Sequence, residues 1–306
     1  MKLIQATGEL NAGGRPVCAA IGVFDGVHLG HQRVLQQTVS DAGRGQGISA
    51  VVTFDRHPNA IVAPGNVPPL IYPLARKLEV LASLGMDAAY VIRFDKAFSQ
   101  IPGEQFVRDL VRDFGKVLSV CVGADFMFGH RRSGNVTLLR ELGGQSGFAV
   151  HAVPDVDLDG QPVSSTRIRN AVRAGDFGLA GQMLGRSYSL CGPVIQGRQL
   201  GRKLGFPTAN IAVTGIVVPP AGVYAAEARV GAKRHRAAVN IGHRPTVQPA
   251  DPEIHVEAHL LDFDGDIVGQ DLELTFLKKL REEKKFPSTE ALRAQIALDV
   301  AQTRSL

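Results

Sequence analysis

The string Gly22-Val23-Phe24-Asp25-Gly26-Val27-His28-Leu29-Gly30-His31 places two histidines at the end of an apolar run, where a helix follows at once. Glycines allow backbone to approach a phosphate, and a helix start adds N–H donors and the positive end of a dipole. His28 and His31 can then donate hydrogen bonds to oxygens that gain charge as a phosphoanhydride breaks. A single histidine there reads as an incidental surface residue; the whole string argues against that plainer reading. A second string, Val163-Ser164-Ser165-Thr166-Arg167-Ile168-Arg169, again opens a helix. Its hydroxyls and forked guanidinium donors can grip a triphosphate, although taken alone it also reads as an N-cap run beside surface arginines.

The glycine-rich basic stretch from Gly197 to Asn210 is the third constellation. It lacks the Gly-Lys-Ser/Thr ending of a Walker A loop. Its amides and basic side chains can still hold phosphates, and Thr208 and Asn210 offer neutral oxygens for Mg²⁺ or a ribose. Further on, His255, Glu257 and His259 fall on one face of a strand. Alternation alone makes such a pattern common, so Glu257 reads better as a single general base facing a barrel mouth than as part of a metal triad.

Alternating elements must position these residues. Val17 to Phe24 reads as a buried strand, Gly30 to Gly43 as a helix, and Ile48 to Phe54 as the next strand. Helices over 76–84, 103–114, 136–142 and from Ser165 to Ala174 alternate with strands over 88–94, 116–123 and 148–153. That order implies βαβ units and a parallel sheet, with ligands beyond the carboxyl ends of the strands. After about residue 184 the segments turn short and period-two, over 188–194, 223–230, 236–241, 255–260 and 271–280. These predict a mostly antiparallel barrel or sandwich, closed by a helix that Ser288 caps. The expected domains are 1–184 and 185–306.

At 306 residues, 44% hydrophobic and 21% charged, the chain can bury cores without disulfides. Three scattered cysteines fit a reducing cytoplasm, and neither a membrane span nor a secretory leader is expected. The net charge of +5 admits polyanions; absent tryptophan and 6% aromatics disfavour nucleic acid and leave small phosphorylated partners.

In their order, the first two strings resemble the His-x-Gly-His nucleotidylyltransferase superfamily. Thr53-Phe54-Asp55-Arg56-His57-Pro58 and Val122-Gly123-Ala124-Asp125-Phe126-Met127-Phe128-Gly129 narrow the likeness to bacterial FAD synthetases. Gly205-Phe206-Pro207-Thr208-Ala209-Asn210, Gly222-Val223-Tyr224-Ala225 and Asn240-Ile241-Gly242-His243-Arg244-Pro245-Thr246 resemble a riboflavin kinase module, as does the tail Arg281 to Phe286. Together the chain resembles the bacterial bifunctional riboflavin kinase/FMN adenylyltransferases.

The resemblance implies two sites. In the N-terminal Rossmann-like domain, Phe24, Asp25, Gly26, His28, His31, Asp125, Ser164, Ser165, Thr166 and Arg169 would bind ATP, with His28 and His31 stabilising the transition state. In the C-terminal barrel, Glu257 would be the catalytic carboxylate. Gly201, Lys203, Gly205, Pro207, Thr208 and Asn210 would hold ATP with Mg²⁺, Thr208 and Asn210 touching the metal. His57, Pro58, Asn240, Arg244 and Arg281 would contact flavin. Riboflavin, FMN, FAD and ATP are the implied substrates and products, and a monomer or weak homo-oligomer the implied state. Asp55-Arg56 stands where Glu-Pro is common, and Met127 where Arg is common, which removes one anion contact. Two rival readings remain: a flavin-binding protein without turnover, and a cytidylyltransferase-like enzyme that would prefer CTP.

Overall fold

The computed structural model describes residues 1–4, 14–197, 200–244 and 253–306, with residues 200, 203, 243, 244 and 253 described by backbone alone. The chain divides into two compact units, Met1–Ser165 and Thr166–Leu306.

The first unit is an α/β layer structure. Its strands are β1 (Lys2–Ile4), β2 (Val17–Ile21), β3 (Ile48–Phe54), β4 (Ala88–Ile92), β5 (Val117–Gly123) and β6 (Ala149–Val153), with a small hairpin of β7 (Asp157–Leu158) and β8 (Gln161–Pro162). The helices between them are α1 (Leu29–Arg44), α2 (Asn59–Val62), α3 (Leu74–Ser83), α4 (Gly103–Phe114) and α5 (Val136–Ser146). The six main strands pair in parallel in the order β1-β4-β3-β2-β5-β6. Their near-continuous apolar runs are those of a sheet covered on both faces. Alternation sorts them: Ala19, Ile21, Ala50 and Val52 pack toward α4 and α5, whereas Ala20, Val51 and Ala89 pack with Val34 and Leu35 of α1 and Leu81 of α3. Strand order reverses at β2, which pairs β3 on one side and β5 on the other. A doubly wound sheet opens its ligand crevice at such a point.

The second unit holds α6 (Ser165–Ala174) from Thr166 onward, α7 (Phe177–Leu184), β9 (Ser189–Ile195), α8 (Leu200–Lys203), β10 (Ala209–Ile211), β11 (Gly222–Val230), β12 (Lys233–Arg244), β13 (Glu253–Leu260), β14 (Asp271–Arg281) and α9 (Thr289–Arg304). The strands close into a barrel, β10-β13-β12-β11-β14-β9, in which every neighbouring pair is antiparallel. Ser288 caps α9, its hydroxyl accepting the Ala291 N–H at 3.2 Å, and α9 packs on β11 and β12. Periodicity does not predict α7, because its two glycines, Gly178 and Gly181, weaken the helical signal. Asp176, whose carboxylate caps the Leu179 N–H at 2.9 Å, was the available sign. Phe177 then stacks on Phe276 and Tyr188, with ring centroids 5.0 and 6.0 Å apart, so α7 packs with the barrel. Among the described residues no helix is long and apolar enough to cross a membrane.

Candidate active sites

The segment after β2 turns sharply before α1 begins. Phe24, Gly26 and Val27 all take positive φ (52°, 76° and 44°), and a Cβ on Gly26 would sit 2.8 Å from Ile71 Cδ1, so glycine is favoured there. Positive φ at a β-branched valine is strained, which marks this turn as one the surroundings hold in place. Asp25 is buried and its carboxylate accepts the Ile71 N–H at 2.9 Å. His28 caps α1: its Nδ1 accepts the His31 N–H at 3.4 Å, and the two imidazoles stack with centroids 3.6 Å apart. The His31 ring also meets Phe24 edge-on at 5.2 Å. The two histidines of the motif are thus one preorganised pair at the switch point of the sheet.

Ser165 connects the second string to the first, its hydroxyl donating to the Asp25 carbonyl at 3.0 Å. Ser164 directly precedes it, while Thr166 and Arg169 fall in the second unit, where Arg169 is buried. Asp125 is exposed just beyond β5, beside the switch point.

A groove of about 870 Å³ runs along the carboxyl side of the sheet and includes Val23, His57, Pro58 and Met127 in its lining. Six phenylalanines, Phe54, Phe94, Phe98, Phe106, Phe126 and Phe128, furnish its walls. Their rings touch in series, from Phe54–Phe94 at 5.3 Å to Phe126–Phe128 stacked at 5.2 Å. Lys96, His130, Arg131 and Arg132 add a basic rim. A large apolar cleft with a few convergent polar groups suits a flat aromatic ligand carrying a phosphate. His57 Nδ1 accepts the Asn59 N–H at 3.1 Å, which fixes its ring. Asp55 accepts the Phe94 N–H at 3.0 Å and pairs with Arg56 at 2.8 Å. Burial pushes its carboxyl up, but these donors outweigh that and hold it below the ordinary range.

Sequence reasoning missed Lys77. This α3 residue is 7% exposed, and its ammonium donates to Val23 O (3.1 Å), Thr53 Oγ1 (3.0 Å) and Phe54 O (3.0 Å). Burial pulls it down to about 8, against the pull of the Asp25 and Asp55 carboxylates.

In the barrel, strand register assembles the second site. Glu257 of β13 lies directly opposite Asn210 of β10 on one side and Asn240 of β12 on the other. Val256, Ala258 and Leu260 fill the interior, so this Asn–Glu–Asn row projects from the outer face of the barrel rather than into it. The loop before β10 folds over the same face: His259 Nδ1 lies 2.8 Å from the Pro207 carbonyl, and its ring meets Phe206 edge-on at 5.5 Å. Gly201 anchors that loop, its carbonyl taking the Phe206 N–H at 2.8 Å where a Cβ would strike Phe206 O. A Cβ on Gly197 would likewise collide with the Asn210 amide. Thr208, Asn210 and Glu257 present hard oxygen donors, a set suited to Mg²⁺ held chiefly by phosphates. His255, Glu257 and His259 do not form a metal triad, and no described cluster of three His, Cys, Asp or Glu residues does.

Gly205 takes a positive φ of 87° beside Pro207. The side chains of Lys203 and Arg244, like Pro245-Thr246 and Arg198-Gln199, lie outside the described residues. Strand register carries the row on through Val223 of β11 to Arg281 of β14, where the guanidinium grips the buried Asp299 of α9 through Nε and Nη2 at 3.0 and 2.7 Å and lies 5.6 Å from the Phe286 ring.

The comparisons with known proteins match this division. The FAD synthetase family model covers residues 11–167, and the riboflavin kinase model residues 184–306. A bifunctional riboflavin kinase/FMN adenylyltransferase of Pseudomonas fluorescens is 39% identical over 100% of this chain and 98% of its own length. That of Escherichia coli K12 is 36% identical over 99% of this chain and 97% of its own. The crystal structure of a protein described as a macrolide-efflux protein from Streptococcus pneumoniae shares the fold, with a TM-score of 0.82 and 26% identity, covering 99% of this chain and 98% of that one. With both family models matched and full-length relatives above a third identical, the chain belongs to the bifunctional riboflavin kinase/FMN adenylyltransferase family.

Proposed function

We propose that the chain makes FAD from riboflavin in two ATP-dependent steps, one at each site. In the barrel, Glu257 orients the ribityl 5′-hydroxyl of riboflavin and accepts its proton as the oxygen attacks the γ-phosphorus of ATP, giving FMN and ADP. Asn210 and Asn240 flank Glu257 on the neighbouring strands, while Gly201, Lys203, Gly205 and Pro207 shape the loop that holds the nucleotide. Thr208 and Asn210 would hold Mg²⁺, which when bound neutralises phosphate charge. The register that puts Glu257 between two asparagines is the observation that carries the kinase assignment.

At the other site a phosphate oxygen of FMN attacks the α-phosphorus of ATP and pyrophosphate leaves. His28 and His31 donate to the oxygens that gain charge, a contribution of roughly 10²–10³ in rate for such preorganised donors. Phe24, Asp25 and Gly26 shape the loop, and Ser164, Ser165, Thr166, Arg169 and Asp125 supply the remaining nucleotide contacts. The phenylalanine groove takes the isoalloxazine ring, with His57 and Pro58 in its wall. The rim cations Arg131 and Arg132 stand in for the arginine missing at Met127. Arg244 and Arg281 remain assigned to flavin by resemblance, and Asp299 orients the Arg281 guanidinium.

The assigned catalytic domains are 1–184 and 185–306; the kinase match, which begins at residue 184, supports the start of the second, whereas the compact units part earlier, after Ser165, with α6 and α7 in the barrel's unit. Free, buried Cys18, Cys121 and Cys191 suit a reducing cytoplasm. We assign a monomer or weak homo-oligomer on the family resemblance.

Chromatography of riboflavin incubated with protein, ATP and Mg²⁺ tests the scheme: FMN rises first and then yields to FAD. Glu257→Gln abolishes FMN formation and leaves FAD formation from supplied FMN intact; His28→Ala does the reverse. Loss of both steps in either folded variant overturns the two-site assignment. No conversion of oxidised or reduced flavin favours a binding protein, and preference for CTP a cytidylyltransferase.

A further inference from the structure

We propose that Lys77 is a positioning residue for FMN adenylylation, fixing from inside the fold the strand ends that carry the nucleotide turn and the flavin groove. The inference rests on the adenylyltransferase reading above and assigns this lysine no contact with substrate.

An ammonium has three donors, and Lys77 directs one at each of three acceptors: Val23 O, Thr53 Oγ1 and Phe54 O. The first belongs to the residue that begins the His28 turn, and the other two to the last residues of β3. Thr53 Oγ1 also donates to Val23 O at 3.0 Å, so both lone pairs of that carbonyl are engaged. Beyond these acceptors the chain diverges: Phe24, with φ of 52°, leads to Asp25 and the histidine pair, and Phe54 leads to His57 and Pro58. Val23 and Phe54 line the flavin groove as well. One side chain therefore fixes the separation of two surfaces that must hold FMN and ATP in line for attack. A displacement of about 1 Å at such a place costs on the order of 10²-fold in rate.

A methionine of similar length would fill this space without desolvating a charge, so burying an ammonium here serves geometry better than stability. The groups that face it are Asp25 from the turn after β2, Asp55, Arg56 and His57 from the end of β3, and Tyr72 from the segment ahead of α3; all line the same small cavity with Lys77. On α3 itself, Arg76 and Glu79 pair with each other at 2.8 Å. The Asp25 and Asp55 carboxylates favour the charged form while burial opposes it, leaving the group near 8. A neutral amine has two donors for three acceptors, so one strand contact is lost on deprotonation.

The test uses the full chain carrying Lys77→Met. Riboflavin phosphorylation at the barrel is the folding control within the same molecule and stays at the wild-type rate. FMN adenylylation falls at least tenfold in kcat/KM, with KM raised for both ATP and FMN. In the wild type, adenylylation declines reversibly as pH rises through about 8, and the variant's residual rate lacks that limb. Wild-type kcat/KM in the variant, or the same alkaline limb in both proteins, overturns the proposal. If the variant's N-terminal unit fails to fold, the wild-type profile decides: a rate flat from pH 7 to 9.5 overturns it, and a decline that spares the kinase step supports it. A wild-type chain that forms no FAD at any pH refutes the adenylyltransferase reading instead.

Discussion

Raising the pH should make the N-terminal unit more stable through the same lysine that makes it less active. Lys77 has a pKa of about 8 in the folded chain against 10.5 when exposed. At pH 7 both states hold the proton. Between about 8 and 10.5 the folded state has lost it while the unfolded state keeps it. The unfolded chain then binds more protons, and stability climbs with pH. The stabilisation is fully present above 10.5 and is lost as pH falls through 8. From pH 7.5 to pH 10 the gain is about 2 kcal/mol by the linkage relation. Other groups oppose it at the upper end: burial pushes Cys121 up to about 12, and Cys18 and Tyr90 also up, so each costs stability once its exposed counterpart ionises. Lys77→Met removes only the lysine contribution. Urea unfolding read by pulse proteolysis of the N-terminal unit, at both pH values in both proteins, isolates it as a double difference. The wild type should gain about 2 kcal/mol more than the variant over that interval. Equal pH dependence in the two proteins would refute the buried, charged lysine, and a wild type that loses more than the variant would reverse its sign.

Three further outcomes check the geometry. Gly26→Ala must place a Cβ at φ +76° within 2.8 Å of Ile71 Cδ1; it costs about 1–2 kcal/mol and slows FAD formation while sparing FMN formation, as paired product assays would show. Asp299→Ala strips the buried partner from Arg281 and destabilises the C-terminal unit by about 3 kcal/mol, seen as a lower inactivation temperature of the kinase step; an unchanged temperature refutes a structural role for the pair. Met127→Arg adds a guanidinium to the groove wall at a residue 45% exposed, lowering KM for FMN in adenylylation severalfold, and an unchanged KM places the FMN phosphate elsewhere.

The bounds of β3, α4 and α6 coincide with those read from the sequence, because apolar period and flanking glycine, proline or hydroxyl residues agree there. β10 escaped that reading: three residues are too few to show a period. The strings proposed to handle phosphate were legible as motifs since each is local. What required the structure is nonlocal. Lys77 reads as one polar position in an amphipathic helix, and its partners are backbone carbonyls and a hydroxyl just past β2 and at the end of β3, 23 to 54 residues away. The six phenylalanines converge from one strand, several loops and helical segments, with no spacing to announce a groove. Glu257 was visible, but its asparagine neighbours came from strand register, and its placement on the barrel's outer face came from the buried even-numbered residues beside it.

The aromatic lining of that groove also bears on photochemistry. Tyrosine and tryptophan quench an excited isoalloxazine ring by donating an electron, whereas phenylalanine is too difficult to oxidise. The chain has no tryptophan, and the groove's aromatic carbocycles are phenylalanines. FMN seated in that proposed site should keep its emission while its tumbling slows, so polarised fluorescence of the unmodified substrate tests occupancy. When adenylylation brings adenine within stacking reach, that emission dims, and the chemical step becomes visible in real time without a label.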